Sequence, residues 1–189
     1  MNHVEINKQA RLSEHFTLGE MCKTSVKTAD GNIPSHVHIE NLKRLCGWLE
    51  RLREKSSLTP GPGLTPNPSP LRATLLPSGG RRGEGNLEGE GSRYKETPII
   101  INSGYRSPQV NKAVGGATNS NHLTGCAVDI HVAGMEQLLR YAVILLDIAD
   151  ESREAFDELL LERSPRGTYW LHFAVRPEGN RMKIRLIQA

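Results

Sequence analysis

Ser120-Asn121-His122-Leu123-Thr124-Gly125-Cys126-Ala127-Val128-Asp129-Ile130-His131 is the stretch on which fold and chemistry both turn. Its second half alternates, so a strand over about Ala127 to His131 sends Asp129 and His131 to one face and Val128 and Ile130 to the other. The carboxylate can then point into a cleft while two β-branched side chains enter a core. His122 lies earlier, across a turn at Gly125 that lets the chain fold back toward Asp129. Much further along, Trp170-Leu171-His172 offers a second imidazole from another strand, with Trp170 and Ala174 on the same face. Two imidazoles and one carboxylate are the donor set of a hydrolytic zinc centre, because three protein ligands leave a fourth tetrahedral position for water or a substrate oxygen.

Working outward, Pro98-Ile99-Ile100-Ile101-Asn102 is a short β-branched run ended by Ser103-Gly104, which predicts a buried strand leading into a turn. Ser107-Pro108 reads as an N-cap with proline at the first helical position, opening a helix that stops near Gly115-Gly116. The segment carrying His122 reads as a polar loop. A helix follows from about Met135 to Ile148, with Leu138, Leu139, Ala142, Leu145 and Leu146 turned inward. Phe156 to Leu161, Tyr169 to Val175 and Met182 to Ile187 read as strands. Nearer the start, Ile39, Leu42, Leu45, Cys46, Leu49 and Leu52 recur at helical spacing, predicting an amphipathic helix from about Ser35 to Lys55. Thr17-Leu18-Gly19-Glu20 fits a capping box opening a short helix. Helices and hairpin-like strands mix without βαβ alternation, so the expected class is α+β: a small antiparallel sheet flanked by helices.

Residues 57 to 96 change character, holding six of the eleven prolines and eight of the eighteen glycines. So little apolar surface does not offset the entropy of ordering the chain, so this stretch is expected to be a disordered insertion in one domain spanning residues 1 to 189. A formal net charge of +3 gives no electrostatic case for nucleic acid as the main partner. Neither an apolar run long enough to span a membrane nor a leader pattern at Met1 to Asn7 is present, so a soluble chain, cytoplasmic as synthesised, is expected. Cys22, Cys46 and Cys126 lie far apart without CxxC spacing, which predicts reduced, buried thiols.

Ser120, His122, Gly125, Ala127 and Asp129, together with Trp170-Leu171-His172, resemble the zinc D-Ala-D-Ala carboxypeptidases and related endolysins of the peptidase M15 family. The resemblance continues through Phe16-Thr17-Leu18-Gly19-Glu20-Met21, Ser103-Gly104-Tyr105-Arg106-Ser107 and Asn111-Lys112-Ala113-Val114-Gly115-Gly116. It is most similar to the small single-domain branch, which implies the α+β fold shared with the hedgehog signalling domain. By that resemblance His122, Asp129 and His172 would bind one zinc ion, and Arg106 would hold a substrate carboxylate or polarise the scissile carbonyl. Ser120 would hydrogen-bond substrate or orient the His122 loop. Several members carry an acid three positions before the last histidine ligand, where this chain has Tyr169. Glu162 is therefore the expected general base, with Glu158 on the same strand face as second candidate. The resemblance implies hydrolysis of a peptide bond in the stem peptide of bacterial peptidoglycan by a metal-activated water, in a monomer without nucleic acid or membrane partners. Release to the cell wall as a phage or prophage lysin would reconcile that substrate with the lack of a leader. The alternative is a zinc-stabilised, non-catalytic binding domain of the same fold.

Overall fold

Thr17 and Glu20 form the capping box that the sequence predicts: Glu20 N–H donates to Thr17 Oγ1 at 3.3 Å and Thr17 N–H to Glu20 Oε2 at 2.8 Å. They open α1, Leu18–Met21, in a computed structural model that describes residues 7–58 and 98–188. α2 spans His36–Leu58, β1 Ile101–Ser103, α3 Pro108–Ala113, β2 Ala127–His131, α4 Met135–Ser152, β3 Glu158–Arg163, β4 Tyr169–Ala174 and β5 Lys183–Gln188. Ser107 caps α3 by accepting from Val110 N–H, with Pro108 at the first helical position as expected. Most of the insertion expected at 57 to 96 lies outside the described residues.

The five strands form one sheet in the order β1-β2-β4-β3-β5. The architecture is α+β, with one departure from the expected antiparallel sheet: β3 and β5 run parallel. The cause is topological. β4 ends with Ala174 beside Glu158, and β5 begins with Lys183 beside that same residue, so the connection reverses the chain at one end of the sheet. β5 is thus antiparallel to β4, but β3 already fills the place next to β4, and β5 pairs on the far side of β3.

One face of the sheet is apolar and covered by helices over β2, β4 and β3, while Ile184 and Leu186 of β5 on that face stay exposed. Val128, Ile130, Leu159, Leu171 and Phe173 are buried there against Leu42, Leu45, Leu49 and Leu52 of α2 and Leu138, Leu145 and Ile148 of α4. Trp48, Phe156 and Phe173 form an aromatic cluster at its centre, with ring centroids 5.2 to 6.4 Å apart. The opposite face carries Asp129, His172, Glu158 and Glu162, because cross-strand partners share a face and side chains alternate along each strand. A hydrophobic layer therefore supports the polar face from behind.

Local expectations shift in three places. Only Ile101 of the isoleucine run lies in β1, since the ladder is irregular between Ile101 and Ser103, and Ile100 is exposed. Leu139 is 49% exposed and Leu146 only partly buried, because Tyr141, Ile144 and Ile148 take up the inward arc of α4 that those leucines were expected to share. The polar loop before β2 is a 3-10 turn, Asn121–Thr124. All three cysteines are free, with Cys46 and Cys126 buried and Cys22 partly so. Among the described residues no helix is long and apolar enough to cross a membrane.

Gly104 joins the two ends of this framework. A Cβ there would stand 2.2 Å from the Met21 carbonyl oxygen, a backbone atom that cannot swing aside. Gly104→Ala is expected to destabilise the fold by about 1–3 kcal/mol, as overpacking does. A fall of several degrees in thermal midpoint would be the readout, and an unchanged midpoint would show that α1 is free to move away.

Candidate metal centre

Antiparallel pairing of β2 with β4 sets Asp129 directly opposite His172. His122 arrives from the 3-10 turn, which Ser120 caps by accepting from His122 N–H at 3.3 Å. The turn ends at Gly125 in the left-handed region, φ 71°, where a Cβ would meet the His38 carbonyl oxygen at 2.7 Å. Glycine satisfies both demands and lets the chain double back into β2. His122, Asp129 and His172 thus meet, all three buried, with one potential ligand atom from each lying within 4.8 Å of the others.

Which atoms face inward follows from their other contacts. His122 Nδ1 is 2.6 Å from the Gly104 carbonyl oxygen, which can only accept, so that nitrogen carries the hydrogen. In the neutral ring Nε2 then presents a lone pair toward Asp129 Oδ1 at 3.2 Å. His172 Nδ1 lies 2.9 Å from the same oxygen. A lone pair aimed at a carboxylate oxygen in a buried site suits a cation between them, and burial, against the pull of Asp129, lowers the His122 pKa. Two donors held about 2.0–2.1 Å from a tetrahedral zinc stand roughly 3.3 Å apart, so the observed spacings fit such an ion.

Burial works against the Asp129 charge, but the His122 and His172 imidazoles outweigh it and hold the carboxyl well below the usual range. Burial also opposes charge on His172, yet Asp129 and Glu158 push that imidazole up to about 9. Asp129 Oδ2 faces away from the histidines and accepts from Arg106 Nη2. Arg106 Nε donates to Ser103 Oγ at 2.8 Å.

Glu158 and Glu162 share the face of the metal centre but differ in their surroundings. Glu158 Oε1 is held by Lys183 Nζ at 2.7 Å and Arg181 Nη2 at 3.0 Å, and Oε2 accepts from Asn121 at 3.0 Å. Its Oε2 stands 3.7 Å from His172 Nε2, an ion-pair distance too long for a hydrogen bond. It therefore backs His172 from the side away from Asp129. Glu162 pairs across the sheet with Trp170, is half-buried, and is drawn upward in pKa, first by burial and then by Asp129, against the opposing pull of His172, Trp170 and Arg106.

Behind Glu158 the Asp157 carboxylate is fully buried and accepts both ends of the Arg181 guanidinium at 2.7 Å, Arg176 at 3.0 Å and Asn121 at 2.8 Å. Burial alone would raise its pKa, but these partners lower it. A carboxyl depressed by folding contributes stability above its unfolded pKa near 4 and loses it as pH falls through the folded value. Asp157→Asn is accordingly expected to cost about 3 kcal/mol at pH 7, the scale of a broken buried pair. Urea unfolding of both proteins should show that gap shrinking below about pH 4; a gap independent of pH would assign the loss to packing.

Of the residues singled out in the sequence, His122, Asp129, His172, Arg106 and Glu158 form one chain of contacts, and Glu162 lies on the same face. Ser120 is engaged with its own turn. His131 is exposed at the end of β2. The sequence reading missed Ser103, the Gly104 carbonyl and Lys183. Of these only Ser103 carried a signal, as the immediate forerunner of Gly104-Tyr105-Arg106.

A buried cluster of two histidines and one carboxylate on a sheet face offers the donor set that mononuclear, zinc-type hydrolytic centres use. A family model described as Peptidase M15 matches residues 86–145, which include Arg106, His122 and Asp129 and stop short of Glu162 and His172. That match supports a member of the peptidase M15 family, whose members are in general zinc-dependent, and it implies a metallopeptidase kind of function. No curated protein matches the chain.

Proposed function

We propose that the protein is a zinc metallopeptidase that hydrolyses a peptide bond in the stem peptide of bacterial peptidoglycan, either D-Ala-D-Ala or the adjacent L,D linkage. The observation that carries this reading is the convergence of His122, Asp129 and His172 beside a half-buried Glu162 on one sheet face. His122 Nε2, Asp129 Oδ1 and His172 Nδ1 would hold the ion. Zinc in such a site polarises a carbonyl and lowers the pKa of water toward neutrality. Glu162 takes the proton of the attacking water and returns one to the leaving amine. Its raised pKa suits that exchange, because a general base works best with a pKa near the operating pH. Glu158 cannot easily serve, with both oxygens already engaged. Arg106 Nη1 has no hydrogen-bond partner among the described residues and can be offered to a substrate oxygen, as a planar fork allows. Ser120 orients the His122 turn. The enzyme would act as a monomer on wall material, reached by release as a phage or prophage lysin.

Incubating the zinc-loaded protein with defined muropeptides and weighing the products by mass spectrometry tests the reading. Loss of a terminal D-alanine, or a cut at the L,D linkage, is expected; intact stem peptides at full zinc occupancy would overturn it. The second reading, a zinc-stabilised binding domain without turnover, is favoured by Tyr169 standing where several members of the family carry an acid. It predicts tight muropeptide binding with no new products.

A further inference from the structure

We propose that Ser103 and Arg106 form a clamp on the outer oxygen of Asp129, so that Arg106 acts as a positioning residue that sets zinc affinity. The two oxygens of Asp129 have separate occupations. Oδ1 faces both imidazoles, and Oδ2 is taken by Arg106 Nη2. Arg106 is itself fixed at two other points, its guanidinium Nε on Ser103 Oγ at 2.8 Å and its backbone N–H on the His122 carbonyl at 3.1 Å. Ser103 is the register partner of Asp129 across the irregular β1–β2 ladder, so the arginine, just beyond the end of that edge strand, grips β2 from its side.

The clamp has a chemical purpose. A carboxylate with a free outer oxygen can rotate about its terminal bond and chelate a metal through both oxygens, filling a position meant for water or substrate. Holding Oδ2 on a fixed arginine keeps Oδ1 alone turned toward the ion and satisfies a buried oxygen that would otherwise lack a partner. The opposing effect is repulsion between the guanidinium and the ion. Orientation wins here because the arginine charge is spent on the oxygen lying between them. Lysine would not replace it, since a point charge cannot bridge Ser103 and Asp129 together.

This inference rests on the zinc-site reading, but its test reads zinc binding and does not need peptide turnover. Zinc dissociation constants are measured by chelator competition for wild type, Arg106→Met, Arg106→Lys, Ser103→Ala and the Arg106→Met/Ser103→Ala double variant. Arg106→Met is expected to weaken zinc about 10–100-fold, the usual effect of losing a partner of a metal ligand, with Arg106→Lys recovering only part. Ser103→Ala should cost about 3-fold, the scale of one ordinary hydrogen bond, and nothing further in the Arg106→Met background. The visible bands of the cobalt-loaded Arg106→Met protein should move as Asp129 changes its mode of binding. Zinc constants within about 2-fold of wild type, or tighter binding once the arginine charge is gone, would overturn the clamp. If Arg106→Met does not fold, Ser103→Ala decides: unchanged zinc affinity and cobalt bands would overturn the clamp. A protein that binds zinc as expected but cleaves no peptide leaves the clamp standing and removes only the proposed function.

Discussion

Asp129→Asn is expected to abolish zinc binding and peptidase activity together. The amide keeps the size of the side chain but removes the negative charge that both imidazoles and Arg106 address. Two neutral histidines are left to hold a dication beside a guanidinium, so tight binding is lost. Activity should fall on the order of 10³-fold or more, since nucleophile generation and carbonyl polarisation both depend on the metal. The measurement that separates this from simple misfolding is thermal: zinc raises the midpoint of a protein that binds it only when folded. Wild type should show that rise and Asp129→Asn should not. A variant that still gained stability from zinc would show that the ion sits elsewhere.

Glu162→Gln should lower kcat about 10²–10⁴-fold, the usual contribution of general base catalysis, while zinc content stays near one per chain. Glutamine preserves the shape and the pairing opposite Trp170 but cannot accept a proton. The same change at Glu158 would fall on a carboxylate bound by Lys183, Arg181 and Asn121 and would act through His172. Retention of most of the rate in Glu162→Gln would leave the family position at Tyr169 without a substitute and favour the binding-domain reading. Loss of zinc in that variant would mean that Glu162 supports the ion and does not move protons.

β2 is legible in the sequence to the residue because alternation is a local property: Val128 and Ile130 must face the core, and Asp129 then cannot. The caps at Thr17 and Ser107 are local too, each depending on residues within one turn. The three candidate metal donors, His122, Asp129 and His172, are legible because their spacing survives as a pattern. What escaped depends on long-range pairing. Nothing near Lys183 announces that β5 passes β4 and lands beside β3, yet that landing brings its ammonium to Glu158. The exposure of Leu139 is of the same kind: helical periodicity marks an apolar arc, and only the packing partners decide how wide an arc is covered.

The Gly104 carbonyl and the Tyr105 N–H belong to one peptide plane. Its oxygen accepts from His122 Nδ1 at 2.6 Å, and its N–H donates to the Met21 carbonyl at 2.7 Å. These two bonds form a relay, in which each polarises the next. The electron density that His122 can offer a metal is thus fed from the end of α1, through a single amide. A loosened α1 would be felt as a weaker ligand, so the N-terminal helix is electronically part of the centre although none of its side chains reaches it.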